Sequence, residues 1–350
     1  MARSKPSRKK IPPLLAAVPA GGADDTTRVR IAEALLDGLT AEQVVAKMVL
    51  GGMPGAAARY EVERAQKSPY LKAASQLKGR IAKRDWTLSI YAKHAAMAGG
   101  VDVPVVDRIA PDRFFRDFYC ANRPVILTGL TDDWPALSKW SLDWIEATLG
   151  SRDVSVQWDR EANDNYESQS PDHRRTMRLA DVIARMRAGA SNDFYITANN
   201  SDLNKQALAP LWDDVGALPG ILAKKEERDG FFWMGPKGTI TPFHHDLTNN
   251  LLLQIAGRKR VRLVPPYLTP LMRNRLHCYS EWSGDDLPQG PGDGERPAVV
   301  ECEIGSGDIL FLPVGWWHHV EGLDITIGMS FINFVWPNDF YSDYRSYDAV

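Results

Sequence analysis

Two stretches decide the fold: Thr241-Pro242-Phe243-His244-His245-Asp246, and Gly307-Asp308-Ile309-Leu310-Phe311-Leu312-Pro313 running on to Trp316-Trp317-His318-His319-Val320. The chain has only seven histidines, and four of them sit in these two pairs. In a strand successive side chains point to opposite faces, so His244 and Asp246 project to one side and His245 to the other. An imidazole and a carboxylate at i and i+2 can grip one metal ion. A histidine from a distant strand completes a two-histidine, one-carboxylate facial triad, which leaves positions open at a non-haem Fe(II). In the second stretch Gly307 and Asp308 make a turn, and the apolar run makes the strand that brings a histidine back to the first site. Periodicity lets only one of His318 and His319 face inward and does not select between them. Neither motif suffices alone, because His-x-Asp recurs by chance and a histidine after two tryptophans is usually a packed core residue. Together each supplies what the other lacks.

The surroundings are β-rich. Short runs between turns cover Pro124 to Thr128, Val154 to Trp158, Phe194 to Thr197, Gly230 to Trp233, Asn250 to Ile255, Arg260 to Val264, Ile309 to Phe311 and Ile325 to Ile332. This spacing predicts an all-β barrel or sandwich rather than alternating βαβ units. Helices are expected over Leu142 to Leu149 and Leu179 to Arg187. Before Gly99 and Gly100 the texture is helical. Ile31, Leu35, Leu36 and Leu39 form one stripe, and Thr40 with Gln43 has the form of a capping box opening a second helix that Gly51 and Gly52 stop. A third helix follows Pro54, and a fourth runs from about Pro69 to near Met97. Residues 1–24 carry Arg3, Lys5, Arg8, Lys9 and Lys10 with little to bury, and read as a flexible basic tail.

Composition excludes several classes. The 350 residues hold 42 Lys and Arg against 44 Asp and Glu, with 44% hydrophobic residues, as in an ordinary globular protein. Cys120, Cys278 and Cys302 lie far apart, so neither a disulfide framework nor a cysteine zinc site is expected, and a cytoplasmic setting fits. No apolar run approaches the ~20 residues that cross a bilayer. Residues 1–100 hold 17 Lys or Arg against 8 Asp or Glu, so the front of the chain is basic and the rest acidic. A helix-turn-helix contact with nucleic acid through this region is the less favoured reading, since no base-reading set of Arg, Asn and Gln stands out.

With four blocks in this order, residues from about 105 to 340 resemble a JmjC domain of the cupin-like group, similar to the asparaginyl hydroxylase that acts on hypoxia-inducible factor. The blocks are Arg123-Pro124-Val125-Ile126-Leu127 with Trp134-Pro135, the 241–246 stretch, Gly257-Arg258-Lys259-Arg260, and the 307–319 stretch. The resemblance implies a mainly β fold, a double-stranded β-helix of jelly-roll type over 101–350, with an α-helical region over 25–100. It further implies Fe(II) held by His244, Asp246 and His318, with His319 turned away, and 2-oxoglutarate as co-substrate. Lys259 falls where such enzymes keep the lysine that pairs with the distal carboxylate of 2-oxoglutarate. Thr241 and Tyr195 match hydroxyls on the same carboxylate, and Asn250 matches a polar position near its other end. Ser330 stands where that hydroxylase has an asparagine and Ile332 where it has an aromatic neighbour, so the substrate side of the pocket differs.

The activity so implied is that of a 2-oxoglutarate-dependent non-haem Fe(II) dioxygenase. It would consume O₂, release succinate and CO₂, and hydroxylate a C–H bond, with demethylation following where the carbon bears nitrogen. A side chain on a protein or peptide is the first choice of substrate, a small metabolite the second. A non-catalytic cupin-like regulator is the alternative from another class. A homodimer is admitted by the resemblance, although the chain ends at Val350 without the helical tail that the relative uses to dimerise.

Overall fold

The computed structural model describes residues 23–197, 202–223 and 230–344. These residues form two compact units, and the chain divides between them after Ile90. The first holds α1 (Asp25–Leu36), α2 (Ala41–Leu50), α3 (Gly55–Lys67) and most of α4 (Pro69–Met97). The Asp24 carboxylate accepts the Thr27 N–H and caps α1, so the helix begins directly after the stretch read as tail, whose last residue is the cap; residues 1–22 lie outside the described residues. The capping box forms, with Gln43 N–H donating to Thr40 Oγ1 at 3.3 Å and Thr40 N–H to Gln43 Oε1 at 2.9 Å. Ile31, Val44, Met48, Met53, Ala58 and Val62 bury a small core of their own.

Among the described residues the second unit carries fifteen strands. They are β1 (Val105–Asp107), β2 (Val125–Thr128), β3 (Asp153–Trp158), β4 (Arg174–Arg178), β5 (Phe194–Tyr195), β6 (Phe231–Gly235), β7 (Ile240–His245), β8 (Asn250–Ala256), β9 (Lys259–Val264), β10 (Asn274–Leu276), β11 (Tyr279–Ser280), β12 (Val300–Ile304), β13 (Ile309–Leu312), β14 (Trp317–Gly322) and β15 (Thr326–Phe331). Short helices α5 (Pro111–Phe114), α6 (Pro135–Lys139), α7 (Leu142–Leu149), α8 (Leu179–Ala188) and α9 (Asp202–Ala207) lie between them. One six-stranded sheet has the order β1-β2-β13-β8-β15-β6 and the other β10-β11-β7-β14-β9-β12; a third, of three strands, is β4-β3-β5. Only β1 and β2 pair in parallel among these ladders.

The two large sheets face each other across Ile126, Leu252, Leu310 and Leu312 from one, and Val261, Leu263, Ile304 and Val320 from the other. The opposite face of β8, through Leu251, Leu253 and Ile255, packs on Phe114, Ile145, Leu149 and Leu179 of the covering helices. Burial on both faces explains why β8 reads as a nearly unbroken apolar run. This is the double-stranded β-helix. Between β8 and β9, Gly257 has φ +72°, and a Cβ there would lie 2.1 Å from the Ile325 carbonyl oxygen. Only glycine makes this turn, and the turn delivers Lys259 as the first residue of β9. No helix among the described residues is long and apolar enough to cross a membrane.

Candidate active site

Strands β7 and β14 pair with His318 opposite His244, which puts both rings on the inner face with centroids 4.2 Å apart. Asp246 follows β7 directly. His244 Nε2 lies 3.6 Å from Asp246 Oδ1, and His318 Nε2 lies 4.0 Å from Asp246 Oδ2. Ligand atoms held about 2.1 Å from one ion cannot be more than about 4.2 Å apart, and both separations meet that limit. The same three residues are grouped by mutual closeness of their ligand atoms, all within 4.8 Å. Each histidine is also aimed. Nδ1 of His244 donates to the Pro242 carbonyl at 2.9 Å and Nδ1 of His318 to the Trp316 carbonyl at 3.0 Å, which leaves both Nε2 lone pairs for a metal.

Electrostatics favour the ligating protonation states. Burial, reinforced by the neighbouring His318, lowers the His244 pKa and keeps its imidazole neutral. Burial acts to raise the Asp246 pKa, but the two imidazoles and an Asn250 hydrogen bond outweigh it and the net shift is downward. Asn250 Nδ2 donates to Asp246 Oδ2 at 3.1 Å, so Asn250 contacts a triad member, and its own Oδ1 is buried without a partner. His319 turns to the far face, against Phe243 at 5.3 Å and Arg262, where burial pushes it down to about 4. His245 likewise packs edge-on to Trp317 at 4.7 Å.

Thr241 departs from simple alternation. Three residues before His244, it would face the other side of a regular strand. The β7–β14 register shifts between His318 and Val320, where Thr241 pairs with the interior-facing Val320. This bulge, at Pro242 with its missing N–H, brings Thr241 to the face of His244.

Deeper in the barrel, Lys259 is 2% exposed and its Nζ lies 3.4 Å from Tyr195 Oη and 5.9 Å from the Trp233 ring centroid. No carboxylate pairs with it among the described residues, and burial alone lowers its pKa to about 8. Gly328 makes the space, since a Cβ there would be 2.8 Å from the Leu253 carbonyl oxygen and 3.6 Å from Lys259 Nζ. Tyr195 is 2% exposed, and burial raises its pKa. Ser330 Oγ accepts the Trp233 indole N–H at 2.9 Å. Trp233 was not among the sequence candidates; only its place at the end of the Gly230 to Trp233 run pointed to it. Gln254 Oε1 and Thr326 Oγ1 are also buried without partners, so this interior is polar and unsatisfied.

At the open side lies a cavity of about 200 Å³ lined by Asp164, Glu167, Pro242, Arg275, Tyr279 and Glu281. Tyr279 pairs with His244 across β11 and β7, with ring centroids 6.2 Å apart. Arg275 is held by Glu281 at 3.2 Å and Glu167 by the buried Arg160 at 3.1 Å, which leaves Asp164 as the lining acid without an ion pair among the described residues. Sequence reasoning did not find Glu167 or its partner Arg160, because the loop that carries them has no periodicity.

The Cupin-like domain family model matches residues 111–341. Similar curated proteins include the lysine-specific demethylase JMJ30 of Arabidopsis thaliana, 31% identical over 65% of this chain and 52% of its own length. The human bifunctional peptidase and (3S)-lysyl hydroxylase JMJD7 is 28% identical over 65% of this chain and 83% of its own length. Human tRNA wybutosine-synthesizing protein 5 is 23% identical over 72% of this chain and 84% of its own length. The chain thus spans about half the length of the first of these. The matched region, the double-stranded β-helix and the His244, Asp246 and His318 cluster agree, and the chain belongs to the Cupin-like (JmjC) family.

Proposed function

We propose that the chain is an Fe(II)- and 2-oxoglutarate-dependent oxygenase that hydroxylates a C–H bond on a protein or peptide side chain. The observation that carries this reading is the buried Lys259 ammonium, which has no anionic partner among the described residues and opens onto the same interior as the triad. A buried charge is stable only when paired, so the site is built for an anionic ligand. The donor set fits the metal: two imidazoles whose Nδ1 atoms are taken by carbonyls, so that each presents Nε2, and one carboxylate suit a non-haem Fe(II) with open positions.

In this reading His244, Asp246 and His318 hold the metal, and Asn250 orients the Asp246 carboxylate. Lys259 pairs with the distal carboxylate of 2-oxoglutarate, with the Tyr195 and Thr241 hydroxyls as further donors. Ser330 acts through Trp233, fixing the indole that walls the co-substrate end. Fe(II), when bound, supplies the O₂ chemistry that converts 2-oxoglutarate to succinate and CO₂ and oxidises the substrate.

The cavity lining carries Asp164, Glu167 and Glu281 against Arg275 and the Arg160 that holds Glu167, and this net negative charge favours a basic side chain, with Asp164 as the group that would receive it. The test is succinate release in air by the Fe(II)-loaded chain, with lysine- or arginine-bearing peptides against the same peptides carrying norleucine. Stimulation by the basic peptides, with a mass gain of one oxygen atom, is expected. Stimulation by small cationic metabolites and by no peptide would replace this substrate class with the small-molecule one.

A further inference from the structure

Arg160 belongs neither to the triad nor to the groups around Lys259, yet its side chain is fully buried. Asp159 takes φ +56° at the end of β3, and this left-handed turn directs Arg160 inward. Its Nη2 donates to Glu167 Oε1 at 3.1 Å and to the Ile240 carbonyl at 2.5 Å. The guanidinium carbon lies 4.3 Å from the Tyr166 ring centroid and 5.2 Å from that of Tyr195. Nε and Nη1 are buried without an acceptor among the described residues. A buried guanidinium with one carboxylate and two idle donors is an expensive way to fill a core, and apolar residues of similar volume do so at no loss of stability. What distinguishes Arg160 is the set it touches. Tyr195 contacts Lys259, Ile240 precedes Thr241 on β7, and Glu167 lines the mouth.

We propose that Arg160 is a positioning residue that ties the co-substrate end of the site to its mouth. Its planar face fixes the Tyr195 phenol at Lys259 while its ion pair fixes the Glu167 carboxylate beside the triad. Co-substrate affinity therefore responds to a change at the mouth. The inference rests on the oxygenase reading, and its test separates the two.

The experiment is calorimetric titration of 2-oxoglutarate into the full chain loaded with Mn(II), which is inert to O₂ turnover, with Mn(II) affinity measured alongside. Arg160→Met is expected to raise the 2-oxoglutarate Kd about tenfold, the size of a coupling between touching groups, while Mn(II) affinity is unchanged. Combined with Tyr195→Ala it should add nothing further, because the effect travels through Tyr195. Arg160→Lys keeps the charge opposite Glu167 but not the plane; it should recover only part of the affinity and stays informative if the Met variant folds poorly. Glu167→Gln, at the mouth, should also weaken 2-oxoglutarate, and not additively with Arg160→Met. Unchanged 2-oxoglutarate affinity in Arg160→Met or in Glu167→Gln, multiplicative losses in the double variants, or a parallel loss of Mn(II) affinity would each overturn the proposal. If the wild-type chain with Mn(II) binds no 2-oxoglutarate, the oxygenase reading falls and takes this one with it.

Discussion

Replacing Lys259 with methionine should stabilise the ligand-free chain while removing its affinity for 2-oxoglutarate. Burial lowers the lysine from 10.5 to about 8 with no partner opposing it. At about 1.4 kcal/mol per pKa unit, keeping the ammonium charged inside the fold costs roughly 3 kcal/mol at neutral pH. The pKa is depressed in the folded chain, so the unfolded chain binds the extra proton between the two values. Below about 8 the full cost is present, and stability then rises with pH until about 10.5, where the contribution ends. Methionine has similar length and no charge. The assay is urea unfolding of wild type and Lys259→Met, followed by tryptophan fluorescence; ten of the eleven tryptophans lie in the second unit. Near pH 7 the variant should be more stable by about 3 kcal/mol, and the difference should shrink between pH 8 and 10.5. Added Mn(II) and 2-oxoglutarate at a hundred times its Kd should stabilise wild type by about 2.7 kcal/mol and the variant far less, closing the gap. A variant less stable than wild type without ligand, or a difference that ignores pH, would refute the argument that Lys259 is an unpaired buried charge.

Three further outcomes follow from single residues. His318→Ala should abolish Mn(II) binding while His319→Ala leaves it unchanged, and a calorimetric titration giving the reverse would exchange the ligand and the packed histidine. Asn250→Ala should lower Mn(II) affinity about 10- to 100-fold, since it frees the Asp246 carboxylate that the amide orients, and an unaltered affinity would remove that role. Gly257→Ala, with its Cβ set against the Ile325 carbonyl and φ at +72°, should destabilise the fold by more than ~1 kcal/mol, read as a lowered thermal midpoint, and a midpoint equal to wild type would show that the β8–β9 turn can relax.

Much of this was legible because local rules and tertiary structure agree. The capping box at Thr40 and Gln43 is a matter of four consecutive positions, and the alternation that puts His244 and Asp246 together follows from the pleat. The apolar runs of β8 and β13 marked strands buried on both faces. The choice between His318 and His319 came from resemblance, because alternation is symmetric between neighbours; the β7–β14 register supplies the physical reason. Thr241 reaches the inner face only through a bulge, which a period-2 reading places on the wrong side. Strand β4, Arg-Arg-Thr-Met-Arg, is an exposed sheet edge with no apolar pattern to betray it, and β10 and β11 are too short for one. Trp233, Arg160 and Glu167 gain their significance only from partners distant in sequence.

The central claim is that the triad and Lys259 form one Fe(II) and 2-oxoglutarate site. Its most direct test is an anaerobic titration of the Fe(II)-loaded chain with 2-oxoglutarate, followed by visible absorption. The account predicts a saturable charge-transfer band that is absent in Asp246→Ala and that Lys259→Met develops only at much higher 2-oxoglutarate. No band in the wild-type chain, or a band that saturates equally well in Lys259→Met, would contradict it.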